Sequence, residues 1–589
     1  MMNKYELNRF SRVGSDNFEQ MVTTEGALLV DKTLLIKDIL NIAGVSLITR
    51  PRRWGKTLNM RMLQYFFSIP VKSDGSIDEE RLAQKKAIFA KMKIGQQYPE
   101  IVEEYCGKYP VIYTSFKDIS GTELGDVEDD LKSVVRRMFS AHRYLLLSDK
   151  IFEDQKNEIK KFLDRSVSDS GLKSSILSLN ELLSRHFDKK AIILIDEYDT
   201  PMNYWYSKKL VNPGLGEEPG KILELFRGIF GSALKDNDFL ERAVVTGILR
   251  IAKANLFSGI NNFTESSILD KRYAPHFGFV EEEVRGLLHD CDMDHDDKAI
   301  NDIKSWYNGY NIGGITIYNP WSIINYLRER ELKAYWVATG STAMLETAAL
   351  LDDFQPEIQL LIEGGNINMT ADPHMVFSEV KTSHEAFYNL LLFSGYLTVK
   401  DILSKRASIY ECEVKIPNYE LQEIFETFVI KWISRKFNIE QTEYSNFIKG
   451  FLSGDVEGFV LKLKKYIEFS ASYFSTGNEK AEVFYNGLML GLIATISYSY
   501  FVETERESGS GRVDLLLIPK PRTRERTAFV IEFKVLKDAG GDLKARADEA
   551  LAQIKSKNYA SKISVHENIE RTIMLGLAFC GKEVQASWE

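Results

Sequence analysis

The fold of the N-terminal half is decided by residues 44–57, which read GVSLITRPRRWGKT. The first six residues form an apolar, β-rich run, and a helical pattern begins at Leu58 and continues through Phe67. Strand, phosphate-sized turn and helix is the order that a P-loop requires, because backbone N–H groups and a helix N-terminus then surround the phosphates. This order predicts a nucleotide-binding site at the turn.

The last three residues of the turn, Gly55, Lys56 and Thr57, supply the groups that a phosphate site needs. In such a site the lysine reaches the outer phosphates and the threonine hydroxyl holds Mg²⁺. The usual pattern has a glycine where this chain has Arg50, which weakens the motif taken alone. Three arginines of the turn either face phosphate or lie solvated in the loop, and the sequence does not separate the two: Arg50, Arg52 and Arg53.

A second apolar run, residues 191–195, ends in Asp196 and Glu197 and predicts a buried parallel strand. We expect Asp196 to hold Mg²⁺ through water and Glu197 to position or activate the attacking water. The P-loop and this strand occur in the order that ATP-binding proteins use, so together they predict ATP as the ligand and Mg²⁺ as its cofactor.

A third apolar run, residues 243–248, predicts another strand of the same parallel sheet. Thr246 near its end is placed to sense the γ-phosphate of the nucleotide. Arg250 has two interpretations of equal weight. It either stabilises charge in the transition state or pairs with a nearby carboxylate.

The C-terminal part of the chain predicts a second, hydrolytic site. Phosphodiester hydrolysis needs a divalent metal and a cation near the attacking water. Asp514 follows the start of one apolar strand, while Glu532 and Lys534 share a face of the next because they are two residues apart. Charges in such apolar strands need a metal or partners. We expect the two carboxylates to bind Mg²⁺ and Lys534 to orient or activate water.

Other residues extend this hydrolytic site. Glu482, on an upstream helix, is a third carboxylate, and Gln553 and Tyr559 lie where they can contact phosphate or the edge of the site. Arg512 either contacts phosphate or forms a structural salt bridge. The basic stretch 520–526 is either a solvated loop tip or a DNA contact.

The N-terminal motifs resemble the AAA-ATPase-like family of bacterial proteins over residues 5–330. In that family an Arg-Pro-Arg-Arg-aromatic-Gly-Lys-Thr loop replaces the P-loop that begins with glycine. The resemblance implies that Arg52, Arg53 and Trp54 join the Gly-Lys-Thr end in binding ATP, and that subunits assemble into homo-oligomers. It rests on residues 29–33 (LVDKT), 50–57 (RPRRWGKT), 194–199 (LIDEYD) and 318–322 (YNPWS).

Residues 480–585 resemble the PD-(D/E)XK nuclease superfamily, through the order helix Glu, strand Asp, strand Glu-x-Lys and helix Gln. The motifs look like those of the nuclease-like domain fused to the ATPase family above. Many relatives carry His where this chain has Asn486, which puts a role for that position in doubt. The resemblance rests on residues 484–487 (FYNG), 507–514 (ESGSGRVD) and 531–534 (IEFK).

The chain of 589 residues is too long for one hydrophobic core. We predict an α/β protein in three parts. Residues 1–280 form a P-loop NTPase domain with a parallel sheet. Residues 281–475 form a helical region with a winged-helix-like hairpin at 395–416, and residues 476–589 form a restriction-endonuclease-like α/β domain.

Composition narrows the functional class. The net charge of −9 argues against an extended basic surface for nucleic acid but is compatible with local basic patches. Four scattered cysteines and the absence of an 18-residue apolar run favour a cytoplasmic protein without a membrane partner. We expect an ATPase whose nucleotide site regulates Mg²⁺-dependent cleavage of nucleic acid, DNA rather than RNA. The alternative is an ATP-switched regulatory or interaction protein whose nuclease-like domain binds without cleaving.

Overall fold

The computed structural model describes residues 9–42, 44–212, 219–250, 257, 263–293, 297–336, 356–374, 383–406, 408–437, 439–469, 496, 499–506, 513–521, 523, 525–536, 542–556, 563, 568–580 and 583–589. The chain divides into two compact units. The first comprises Met1–Thr347 with Asn368–Glu420, and the second comprises Ala348–Ile367 with Leu421–Glu589. The three-part division at residues 280 and 475 stays a prediction.

A five-stranded, all-parallel sheet organises the first unit, which confirms the predicted fold class. The strands follow the order β2-β3-β4-β1-β5, so β4 separates the strand before the P-loop from the strand that ends in Asp196. Apolar side chains cover both faces of the central strands, as parallel sheets require. The strands are β1 (Gly44–Thr49), β2 (Val111–Ser115), β3 (Ala191–Asp196), β4 (Leu240–Gly247) and β5 (Phe263–Ser266).

Helices pack on both faces of this sheet and form two apolar cores. The helix after the P-loop begins at Lys56, so its first residue is the lysine of the motif. The helices of this part are α1 (Phe18–Thr23), α2 (Leu34–Leu40), α3 (Lys56–Phe67), α4 (Glu79–Ala90), α5 (Lys93–Gln97), α6 (Pro99–Tyr105), α7 (Leu124–Ser140), α8 (Glu153–Asp164), α9 (Asp169–Phe187), α10 (Thr200–Val211) and α11 (Pro219–Leu234).

The middle of the chain is mainly helical, as predicted, and it contains the expected hairpin. Strands β9 (Thr398–Arg406) and β10 (Ile409–Lys415) pair antiparallel, and β8 (Ile367–Ala371) adds a third strand beside β10. The other elements are α12 (Glu281–Asp290), α13 (Asp297–Tyr307), β6 (Tyr310–Ile312), β7 (Ile315–Ile317), α14 (Pro320–Glu329), α15 (Pro356–Ile362) and α16 (His384–Ser394).

The second unit contains a five-stranded mixed sheet in sequential order, β11-β12-β13-β14-β15. Strands β12 and β13 pair antiparallel, and β13 and β14 pair parallel. The elements are α17 (Tyr419–Phe437), α18 (Gln441–Leu452), α19 (Val456–Phe469), β11 (Tyr500–Arg506), β12 (Val513–Pro519), β13 (Thr527–Val535), α20 (Leu543–Ser556), β14 (Arg571–Cys580) and β15 (Glu583–Trp588).

Two aromatic and apolar layers cover this second sheet. Phe451 of α18 contacts Phe529 with ring centroids 4.4 Å apart, and Ile554 of α20 joins a core that includes Val530. Because residues 529 and 530 point to opposite faces of the strand, the two helices cover opposite faces of the sheet. Within the described ranges, no helix combines the length and the apolar character needed to cross a membrane.

Candidate functional site

The turn after β1 has the geometry of a phosphate-binding loop. Gly55 lies in the left-handed region with φ of 77°, and α3 begins with the next residue. The Lys56 ammonium donates hydrogen bonds to the carbonyls of Arg50 and Pro51, at 3.0 and 2.8 Å. Lys56 therefore links the end of the turn to its beginning, and its buried ammonium lies at the centre of the turn.

The two halves of the predicted nucleotide site meet where β3 and β4 end and α3 begins. The Thr57 hydroxyl donates to Asp196 Oδ2 at 2.6 Å, and the Thr246 hydroxyl donates to Asp196 Oδ1 at 2.5 Å. These residues come from α3, β3 and β4. A hydroxyl and a carboxylate present hard oxygen ligands, so their chemistry fits Mg²⁺.

Glu197 lies beside this group in a strained backbone conformation, with φ of 52°. Its side chain accepts a hydrogen bond from the Thr200 hydroxyl at 3.3 Å. Burial raises the pKa of Glu197, while the nearby Lys56 ammonium opposes that rise. For Lys56 the balance is reversed, because burial lowers its pKa and the carboxylates of Glu197, Asp196 and Asp199 counteract the effect.

Asp199 is a residue of this site that the sequence reasoning did not assign. Its Oδ2 accepts the backbone N–H groups of Ile248 and Leu249, at 2.9 and 2.8 Å. Burial raises the pKa of Asp199, and these hydrogen bonds partly offset the rise. A side chain at Gly247 would come within 2.6 Å of both Asp199 and the Tyr198 ring. Asp199 thus ties the end of β3 to the segment after β4.

Both interpretations of Arg50 are wrong. The residue is 0% exposed, and its guanidinium donates to the backbone carbonyls of Thr49 and Ser266, at 2.7 and 3.0 Å. A third hydrogen bond reaches the Ser266 hydroxyl at 3.2 Å. Burial lowers the pKa of Arg50 to about 10. Arg50 links the end of β1 to the end of β5, and so it faces neither phosphate nor solvent.

The remaining residues of the turn lie in different environments. Arg52 and Arg53 are both exposed, and the Arg53 guanidinium lies 4.3 Å from the centre of the Trp321 ring. Trp54 is buried and packs edge-on against Tyr310, with centroids 4.8 Å apart. Nucleotide binding by these residues stays a prediction, and packing accounts for the position of Trp54.

Replacing Arg50 with alanine is expected to destabilise the first unit by about 3 kcal/mol, because it removes a buried cation whose terminal nitrogens bond the ends of β1 and β5, and it leaves Ser266 without its partner. The midpoint of urea unfolding, followed by circular dichroism, measures the change. Arg52→Ala is the control within the same turn, and its expected effect is below about 0.5 kcal/mol. Equal midpoints for the two variants would contradict the structural role of Arg50.

Arg250 forms an ion pair with Glu265, with 2.8 Å between Nη2 and Oε1. Its other terminal nitrogen lies 3.0 Å from His374 Nε2. The structure therefore favours the interpretation that Arg250 pairs with a nearby carboxylate.

Strands β12 and β13 hold the predicted hydrolytic residues. Glu532 is 0% exposed and stands opposite Gly576 of β14. Leu515 stands opposite Ile531, so Asp514 directly precedes and Glu532 directly follows the last paired positions of these two strands. The two strands are neighbours, as predicted, and a joint site of Asp514 with Glu532 and Lys534 stays a prediction.

Lys534 is partly buried, two residues beyond Glu532 on β13. Its ammonium lies 4.0 Å from the Glu549 carboxylate of α20. Gln553 lies one turn further along the same helix and is half-buried. The helix approaches the sheet closely because β14 has Gly576, where a side chain would come within 2.4 Å of the Ala547 carbonyl.

Several predicted residues lie outside the described ranges: Glu482, Asn486, Arg512 and Tyr559. Most of the apolar segment 487–496 and two arginines of the basic stretch, Arg522 and Arg524, also lie outside them. Among the described residues, no three histidine, cysteine, aspartate or glutamate side chains form a metal-binding group.

Comparison with known protein families agrees with the domains predicted for the N-terminal and C-terminal parts of the chain. Residues 12–257 match the family described as "Predicted AAA-ATPase", and residues 480–589 match the PD-(D/E)XK nuclease superfamily. The chain therefore combines an AAA-ATPase-like domain with a C-terminal domain of the PD-(D/E)XK nuclease superfamily.

One relative is similar along most of its length. A protein of Azotobacter chroococcum, described as an uncharacterized protein in the vnfD 5′ region, is 22% identical over 564 residues. The match covers 93% of this chain and 93% of the relative, so the similarity spans both domains.

Proposed function

We propose that the protein binds and hydrolyses ATP in its N-terminal domain and cleaves nucleic acid in its C-terminal domain, with ATP controlling cleavage. The main support for ATP binding in the N-terminal domain is that the hydroxyls of Thr57 and Thr246 donate hydrogen bonds to the two carboxylate oxygens of Asp196. These three residues are far apart in the sequence, and they meet beside the turn that Lys56 closes.

In the proposed ATPase site, backbone N–H groups of the turn and the Lys56 ammonium bind the phosphates. Thr57 and Asp196 would hold Mg²⁺, which would neutralise phosphate charge when bound. Glu197 accepts a proton from the attacking water, or orients that water, and the raised pKa of its carboxyl suits it to accept a proton. Arg52, Arg53 and Trp54 complete the nucleotide contacts in this proposal.

In the proposed nuclease site, Asp514 and Glu532 would hold Mg²⁺, with Glu482 as a third carboxylate. When bound, the metal would polarise the phosphate and lower the pKa of its water. Lys534 orients the attacking water and balances negative charge, and Gln553 contacts the phosphate backbone. Support comes from the burial of Glu532 between two apolar strands, since a buried carboxylate needs cations or hydrogen-bond donors around it.

We further propose DNA as the substrate in preference to RNA, a homo-oligomeric assembly, and a location in the bacterial cytoplasm. All four cysteines are free thiols, which agrees with a reducing compartment.

The test uses the purified full-length protein with supercoiled plasmid and with labelled single- and double-stranded DNA and RNA. Each substrate is incubated with Mg²⁺ alone, ATP with Mg²⁺, ADP with Mg²⁺, and ATP with EDTA. We expect cleavage of DNA only with ATP and Mg²⁺ together. Cleavage that is equal with and without ATP would overturn the regulatory step alone. Binding without cleavage of any substrate would establish the alternative, an ATP-switched binding protein.

A further inference from the structure

A cavity of about 520 Å³ lies within the first unit. Its walls come from α1, α3, α4 and β2, together with residues near the end of α7. None of the residues assigned to the nucleotide site lines it. The volume falls within the range of pockets that take small organic ligands, roughly 300–1,000 Å³. The cavity is therefore large enough for a second ligand.

The cavity carries more positive than negative charge. Its lining includes the cations Arg61, Arg81 and Lys85 and the carboxylates Asp16 and Glu19. Arg81 pairs with Glu19 at 2.8 Å. In the part of the chain that the structure describes, Arg61 and Lys85 have no carboxylate within 4.0 Å. Two cations thus face the cavity without a bound carboxylate.

Lys85 is the more unusual of the two, because it is only 2% exposed. Its ammonium donates to the backbone carbonyl of Ser68 at 2.5 Å and lies 3.3 Å from the Ser68 hydroxyl. Burial lowers the pKa of Lys85 to about 8. A buried ammonium without an anion costs free energy, and an anionic ligand in the cavity would offset that cost.

The rest of the lining suits a flat ring. The Arg61 guanidinium lies 3.8 Å from the centre of the Tyr113 ring, and the Lys85 ammonium lies 5.1 Å from that of Tyr65. Phe18 and Tyr144 add further aromatic surface. Aromatic rings and stacked guanidinium groups bind planar, conjugated ligands through their faces.

We propose that this cavity binds a nucleoside monophosphate at a site separate from the P-loop. The phosphate pairs with Lys85 and Arg61, and the base lies against the aromatic walls. A ligand with both a ring and a phosphate contacts the aromatic side chains and the cations of the cavity, whereas a ring or a phosphate alone contacts only one of the two groups. The inference does not depend on nuclease activity.

The test is isothermal titration calorimetry of AMP into the full-length Lys56→Ala protein, because this change impairs nucleotide binding at the P-loop without adding a nucleotide that could compete for the cavity. Lys85→Met removes the charge while keeping a long side chain, and Arg61→Gln is a second variant that keeps the buried lysine. Lys86→Met, on the same helix but with its ammonium paired to Glu103 at 2.6 Å, is the matched control. Adenosine and inorganic phosphate test the two parts of the ligand separately.

We expect AMP to bind the Lys56→Ala protein, with an affinity that falls about tenfold or more when Lys85→Met or Arg61→Gln is added, because each loses a charge-assisted contact. Adding Lys86→Met keeps the affinity of the Lys56→Ala protein, and adenosine and phosphate bind at least tenfold more weakly than AMP. The proposal is overturned by no AMP binding to the Lys56→Ala protein, or by equal affinity in the cavity variants and the control.

Discussion

Replacing Lys56 with alanine is expected to lower the affinity of the protein for ATP by about 100-fold or more, since the lysine supplies charge-assisted contacts to the outer phosphates. The Lys56 ammonium is already held in place by the carbonyls of Arg50 and Pro51, so little side-chain entropy is lost when ATP binds. Titration with a fluorescent ATP analogue measures the affinity.

Two variants separate this effect from damage to the turn. Arg52→Ala removes an exposed charge of the same loop, and because Arg52 supplies only an outer nucleotide contact in this proposal, it is expected to weaken ATP binding less than Lys56→Ala does. Thr57→Ala leaves the lysine in place and removes the proposed metal ligand, so its binding defect should appear with Mg²⁺ and vanish in EDTA. A Lys56→Ala protein that unfolds at the same temperature as the unaltered protein and still binds ATP tightly would rule out the P-loop assignment.

The parts of the fold that the sequence predicts are those with a strong local signal. Strand β3 is a continuous apolar run that ends in Asp196, β1 is mostly apolar, and residues 543–556 have the pattern of the observed helix α20. Strands β5 and β11 were missed, because their sequences FTES and YFVETER are largely polar. Strand β5 exists only because it pairs with β1, from which it is separated by more than 200 residues.

The candidate sites likewise divide into contacts that the sequence pattern predicts and contacts that depend on residues distant in the sequence. The approach of Thr57 to Asp196 follows from strand order, because the carboxyl ends of parallel strands meet at one edge of a sheet. The position of Arg50 does not follow from the sequence, which shows only a charge in a turn. Its burial depends on Ser266, 216 residues away. Asp199 is similar, since its partners Ile248 and Leu249 lie in the segment after another strand.

For the C-terminal site, the sequence predicts the strands and the alternation that place Glu532 and Lys534 on one face. It does not predict the neighbour of Lys534, which is Glu549 of α20 at 4.0 Å. That contact depends on how closely α20 packs over Gly576. A glycine inside an apolar strand is the one local signal that could have indicated such an approach.

Replacing Lys534 with alanine is expected to lower the rate of DNA cleavage by about 10²- to 10⁴-fold, the range that one group acting on the attacking water typically contributes. Binding of DNA should change little, because Lys534 is partly buried beside Glu549 and acts at the reacting water in this mechanism. Cleavage of labelled duplex with ATP and Mg²⁺ gives the rate, and fluorescence anisotropy gives the affinity.

Lys555→Ala is the matched control, since Lys555 is an exposed lysine on α20 that pairs with Glu589. Its cleavage rate should equal that of the unaltered protein. Glu532→Gln adds a readout that is independent of turnover, because it keeps the shape of the buried side chain and removes the charge that the proposed metal needs. Calorimetric titration with Mn²⁺ should then show one metal site fewer in Glu532→Gln than in the unaltered protein, and the same number of sites in Lys534→Ala. If Lys534→Ala cleaves as fast as the Lys555→Ala control, Lys534 has no part in hydrolysis. An unchanged number of metal sites in Glu532→Gln would likewise show that Glu532 binds no metal.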